Sequence, residues 1–155
     1  MKDIKLSKNL TLSEVIRSES AKRRGVSNMP TPAHIENLKY LAEKIFQPVR
    51  DHFKVPIRIS SGYRSRELNA IIGGSQTSFH SLGAAIDIDQ TLGKVTNKQI
   101  FDFIRESLDF TELIWEFGDK TNPDWVHVGI VKGREKEKET LEAYRVNGKT
   151  FYRAM

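Results

Sequence analysis

Two hydrophobic periods alternate along the chain, one of three to four residues and one of two, and the changes between them mark the elements. Leu12, Val15 and Ile16, with Thr11 as N-cap, predict a short helix. Residues 21–29 (AKRRGVSNM) are broken by Gly25 and Asn28 and read as a loop, with Lys22, Arg23 and Arg24 as solvated charge. Thr31-Pro32 then opens the longest helix, an N-cap followed by proline at the first helical position. Ile35, Leu38, Leu41, Ile45 and Val49 form its core-facing stripe, which runs through Phe53. Pro48 falls inside this stripe and predicts a kink or break near Gln47.

Beyond Phe53 the shorter period takes over. Residues 55–60 read as a strand with Ile57 and Ile59 on one face. Ser65 caps a helix over residues 66–72, and residues 73–77 form a flexible loop. In residues 84–89, Ile86 and Ile88 face the core while Asp87 and Asp89 face the other side. Thr96-Asn97-Lys98-Gln99 is a capping box for a helix carrying Ile100, Phe101, Phe103, Ile104 and Leu108. Residues 113–117 and 125–131 are strands close enough to form a hairpin, with Leu113, Trp115 and Phe117 on the core face of the first. Residues 132–138 are charged and mobile or loosely helical, and Asn147-Gly148 marks a two-residue hairpin turn within 144–152. Helices that precede and interrupt short, hairpin-linked strands make an α+β fold. A chain of 155 residues is expected to be a single domain.

Composition narrows the chemistry. The absence of cysteine excludes disulfides, a thiolate metal site and a cysteine nucleophile. The net charge of +5 favours anionic partners, but the densest charged run, residues 132–139, alternates in sign and reads as a solvated face. No nucleic-acid partner is therefore expected. The N-terminus lacks the apolar run of a signal peptide and no stretch is long enough to span a bilayer, so synthesis in the cytoplasm without membrane insertion is expected.

The candidate chemistry lies in Ser78-Phe79-His80-Ser81-Leu82-Gly83-Ala84-Ala85-Ile86-Asp87, which sets a histidine and a carboxylate seven residues apart. Imidazole and carboxylate suit a borderline divalent ion such as zinc. Alternation in residues 125–130 places Val126, Val128 and Ile130 on one face and leaves His127 on the other. If the two strands share a sheet, His127 and Asp87 lie on the same exposed face, with His80 swinging over them. Three protein ligands and a water make a catalytic zinc arrangement. The competing reading of the same residues is a surface His80 and an Asp87 at a strand end, each satisfied by local hydrogen bonds. His34 and His52 have no partner at ligand spacing and read as surface residues.

Three motifs in order, Ser61-Gly62-Tyr63-Arg64-Ser65, Ser78-x-His80-x-x-Gly83-x-Ala85-x-Asp87 and Trp125-Val126-His127-Val128, resemble the M15 zinc peptidases. That group includes D-alanyl-D-alanine carboxypeptidases and L-alanyl-D-glutamate endopeptidases used as endolysins, and the likeness is to its small single-domain phage and bacterial members. The resemblance runs from about residue 12 to residue 131, leaving 132–155 as a charged segment and C-terminal hairpin. It implies a hedgehog/D-Ala-D-Ala-peptidase-like fold, a small antiparallel sheet carrying the zinc site with helices packed on its other face. It also implies one Zn2+ held by His80, Asp87 and His127, with a water as nucleophile. Arg64 would anchor a substrate carboxylate or peptide carbonyl, and Ser78 would hydrogen-bond substrate, while Tyr63, Ser61 and Gly83 serve the scaffold. Relatives carry a carboxylate three residues before the last histidine, the place of Asp124. Glu116 rivals it as general base, because a strand positions it on the side of the site. Asp89 could support a ligand histidine. The implied activity is metal-dependent hydrolysis of peptidoglycan stem peptides by a monomer acting at the cell wall, after phage- or prophage-mediated release. The alternative is a zinc-containing binding module of the same fold that has lost catalysis.

Overall fold

Alternation along two short strands divides a mixed sheet into an apolar face and a polar one, and the helices collect on the apolar side. The computed structural model describes residues 2–155. In chain order these are β1 (Lys5–Ser7), β2 (Leu10–Thr11), α1 (Leu12–Ile16), α2 (Glu19–Arg24), α3 (Pro32–Leu41), α4 (Gln47–Phe53), β3 (Ile59–Ser61), α5 (Arg66–Ile71), β4 (Ala85–Ile88), α6 (Asn97–Ser107), β5 (Glu112–Glu116), β6 (Trp125–Gly129), β7 (Glu139–Val146) and β8 (Lys149–Ala154). The sheet runs β3-β4-β6-β5-β7-β8, antiparallel throughout except for the parallel pair β5/β7. The strands β1 and β2 form a separate two-stranded sheet. The expected α+β class and the six-stranded, mostly antiparallel sheet agree.

Ile86 and Ile88 of β4, Val126 and Val128 of β6, and Leu113 and Trp115 of β5 enter one core with Leu38, Leu41, Ile45, Phe46 and Val49 from the long helix and Ile100, Phe101 and Ile104 from α6. Burying each such side chain stabilises the fold by roughly 1.5–3 kcal/mol. The capping box at Thr96 is formed, its side chain accepting from the Gln99 N–H while Gln99 reaches back. Pro48 does not break the long helix. A π turn over Ala42–Phe46 precedes it, with the Gln47 N–H reaching the Ala42 carbonyl. Widening the turn there accommodates a ring that would otherwise crowd the carbonyl four residues earlier.

Several expectations are corrected. Residues 19–24 are helical, because Ser18 caps Ala21 and Gly25 closes the helix at φ 64° in the left-handed region. Asn28 is a bridge as well as a breaker. It donates to the Ile16 and Tyr63 carbonyls and accepts from the Ser65 N–H. Residues 132–138 contain no helix; Arg134 pairs with Glu137 and the segment turns directly into β7. Phe117 leaves β5 at φ 58° and packs on Trp125 instead of the core. The parallel pairing of β7 was not anticipated. It depends on buried Thr111, whose carbonyl accepts from the Glu139 N–H and whose hydroxyl donates to the Arg134 carbonyl and accepts from the Val131 N–H.

The turn that carries Arg64 is packed without slack against α1. Tyr63 N–H donates to the Val15 carbonyl at 2.7 Å, and a Cβ built on Gly62 would lie 2.3 Å from that same oxygen. Gly62→Ala must therefore displace either α1 or the turn, at a cost of about 1–3 kcal/mol. Urea denaturation measures this directly, and a midpoint unchanged from wild type would contradict the packing described.

Candidate metal centre

Asp87 on β4 lies directly opposite His127 on β6 in the sheet register. Their neighbours Ile86, Ile88, Val126 and Val128 fill the core, so alternation delivers both polar side chains to the other face. His80 arrives from a single 3-10 turn, Phe79–Leu82. Ser78 caps this turn by accepting the His80 N–H, and Gly83 ends it at φ 74°. The backbone of the Arg64 turn holds it from the other side, since Arg64 N–H donates to the His80 carbonyl at 3.1 Å.

The three side chains converge. His80 Nε2 is 3.2 Å and His127 Nδ1 3.0 Å from Asp87 Oδ1, and the three residues offer ligand atoms all within 4.8 Å of one another. Each ring has its second nitrogen occupied. His80 Nδ1 donates to the Gly62 carbonyl at 2.7 Å, which as an acceptor-only group requires the proton to sit on Nδ1 and leaves Nε2 toward Asp87. His127 Nε2 donates to Glu112 at 2.6 Å. Two imidazole nitrogens and one carboxylate oxygen, with both rings fixed by acceptors behind them, fit the donor chemistry of zinc. The site is less open than the expected exposed face: His80 is 2% and His127 7% accessible.

Electrostatics separate the nearby groups. Burial pushes the Asp87 carboxyl up, but the adjacent His80 and the hydrogen bond from His127 outweigh it and hold Asp87 well below the usual carboxylate range. Burial likewise pushes His127 down, and its hydrogen bonds to Asp87 and Glu112 overcome this and raise it to about 10. Glu116 is 8% accessible, and its carboxyl is pushed up to about 7, chiefly by burial, with Asp87 and Glu112 adding to the rise and His127 opposing it. Burial lowers the Arg64 guanidinium while Asp87 and Glu116 draw it back, and its buried Nε–H has no hydrogen-bond partner among the described residues.

The other candidates lie as follows. Glu116 stands on β5 in one cross-strand row with Trp125, Ala143 and Tyr152. Asp124 is exposed just before β6; its N–H donates to the Glu116 carbonyl and its carbonyl accepts from Asn97. Its groove is shared with Lys98, Phe101 and Trp115 on the α6 side of the sheet. Asp89 does not support a ligand histidine, because its carboxylate is taken by Thr91, Asn97 and Arg58. Two residues near the site were missed. Glu112 shares the face of Glu116 by simple alternation, so the signal was present. Tyr152 reaches the row through β7 and β8, and its hydroxyl is raised by burial and by Glu116, Glu112 and Asp87.

Residues 8–129 match the protein-family model described as Peptidase M15. No curated protein matches the chain. The matched span contains every candidate named from the sequence and stops before β7 and β8.

The pairing of His127 has a pH signature in metal-free protein. Folding raises its pKa from 6.5 to about 10, so the protonated ring stabilises the fold fully below pH 6.5, and this contribution is lost as pH rises through about 10. In chelator-treated protein, NMR should find the His127 ring still an imidazolium at about pH 8, where a free histidine is neutral. A His127 that titrates at the ordinary value would remove the paired geometry.

Proposed function

The chain belongs to the peptidase M15 family, and from that premise we propose that this metallopeptidase hydrolyses peptide bonds in the stem peptides of peptidoglycan, as a zinc-dependent carboxypeptidase or endolysin-type endopeptidase. The observation that carries the reading is the convergence of His80, Asp87 and His127 ligand atoms within 4.8 Å, beside an arginine whose buried Nε–H is unpartnered among the described residues. His80 through Nε2, Asp87 and His127 through Nδ1 would hold the ion, which supplies Lewis acidity and makes water a competent nucleophile near neutral pH.

The chain's own residues supply the rest. Arg64 offers its guanidinium to a substrate carboxylate or peptide carbonyl, fixing the scissile bond over the ligand cluster. Ser78 Oγ, already accepting from the His80 N–H, retains its own proton to donate to substrate. Glu116, with a carboxyl pushed up to about 7, is suited to take a proton from the attacking water on a carboxylate oxygen and return it to the departing amine. Asp124 is the rival for this role, and its exposed position at the start of β6 supports it less well. Trp125 lies opposite Glu116 on one side and Tyr152 lies beyond Ala143 on the other, and the two aromatic side chains would wall the substrate along that row. The basic net charge of +5 suits an anionic wall. The reading is of a monomer acting at the cell wall.

Purified peptidoglycan digested with zinc-loaded protein should release peptide fragments identifiable by mass spectrometry. Chelation or His80→Ala should abolish both metal binding and release. Zinc-loaded protein that binds the wall and frees no fragment would turn the reading to a binding module.

The proton carrier is tested separately. Glu116→Gln should lower kcat by roughly 10²–10⁴ with zinc affinity retained, and Asp124→Asn should leave kcat within about threefold, as expected of an exposed side chain outside the chemistry. The reverse pattern assigns the role to Asp124.

A further inference from the structure

The pair formed by His127 and Glu112 is built with more care than a surface contact. Both ring nitrogens of His127 face carboxylates, Nδ1 toward Asp87 at 3.0 Å and Nε2 toward Glu112 at 2.6 Å. Only Asp87 belongs to the convergent donor cluster; Glu112 stands behind the ring. The register explains how it reaches. His127 is opposite Ile114, and Glu112 is opposite Gly129, so its side chain crosses a position that has none. A Cβ on Gly129 would lie 3.4 Å from Glu112 Cγ and 2.9 Å from the Phe79 ring. The glycine thus leaves the gap through which the Glu112 stem passes, and Phe79, the neighbour of His80, closes its other side. His80 has an equivalent support in the Gly62 carbonyl, but that one is backbone and cannot be removed by substitution.

We propose that Glu112 is a positioning residue for the metal site: by accepting the Nε2–H of His127 it fixes the ring's tautomer and leaves Nδ1 as the donor atom. It also brings a second carboxylate to a site where Asp87 alone would leave a divalent ion half compensated. A carboxylate behind a ligand imidazole both orients the ring and makes it a better donor. Glu112 touches neither substrate nor reacting atoms, and its effect passes entirely through His127. The inference rests on the metal-site reading above and is independent of which peptide is cleaved.

Zinc affinity, measured by competition with a chromophoric chelator, tests the assignment without reference to activity. Glu112→Ala should weaken zinc binding about 10–100-fold. Glu112→Met, which keeps a stem against Phe79 but no acceptor, should do the same and decides the matter if the alanine variant does not fold. Glu112→Gln retains an acceptor oxygen and should fall between these and wild type. In zinc-loaded, 15N-histidine-labelled protein, the His127 Nε2–H should give a protected signal in wild type and Glu112→Gln, and lose that protection in Glu112→Met. Zinc affinity and His127 signals in Glu112→Met that equal wild type overturn the assignment of Glu112 alone. Failure of wild-type protein to bind zinc overturns the metal-site reading and this inference together.

Discussion

The contact on which the structure depends is the cross-strand pair of Asp87 and His127, a carboxylate and an imidazole facing each other across β4 and β6 at 3.0 Å. Placing such groups behind protein surface carries a desolvation penalty that only close partners offset. The fold meets this by confining them to one face of the sheet while Ile86, Ile88, Val126 and Val128 seal the other. A slip of one residue in either strand would exchange the two sets, putting the site into the core and the aliphatics onto the polar face. Register and site are therefore one constraint, which the apolar face enforces.

From this pair the supports spread outward through backbone more than through side chains. The Gly62 carbonyl holds His80, the Val15 carbonyl holds the turn that contains Gly62, and Asn28 ties that turn to α1. A site assembled on backbone groups is tolerant of substitution nearby but intolerant of changes in chain path, since each hydrogen bond fixes where a segment runs. Arg64 benefits directly. Its turn is clamped at Tyr63 and Ser65, so the guanidinium can remain without a fixed partner at Nε while its base stays in place.

Much of this was legible in the sequence, and the limits are physical. Strand alternation sorted Asp87, His127 and Glu116 to one face, because a period of two needs only neighbouring residues to be read. Thr96 and Gln99 declared a helix start for the same reason. The helix at residues 19–24 was hidden, since its charged run has no apolar stripe and only its caps, Ser18 and Gly25, betray it. Phe117 obeyed the strand pattern until a left-handed backbone turned it away. The supporting role of Glu112 depends on which residue lies opposite it, and pairing between strands separated by a loop is not written in either strand alone. The parallel β5/β7 pair is further still from local reading, because it requires the chain to cross the end of β5 at Thr111.

The same burial acts on two carboxylates of the site with opposite results, and the difference lies in their contacts. Asp87 is driven up by desolvation, yet hydrogen bonds and charge from two imidazoles keep it ionised. Glu116 is also raised by desolvation, and the attraction of His127 and Arg145 is set against the repulsion of Asp87 and Glu112, so that it settles at about 7. One face of the sheet thus holds a carboxylate that stays charged and another that can gain or lose a proton near neutrality. Such a division is what separates a ligand from a proton carrier, since a group committed to charge is a steady donor and a poor base. Ionised Asp87 helps to create it by making a second negative charge nearby costly, so the residue that gathers the imidazoles also tunes the acid on the same face.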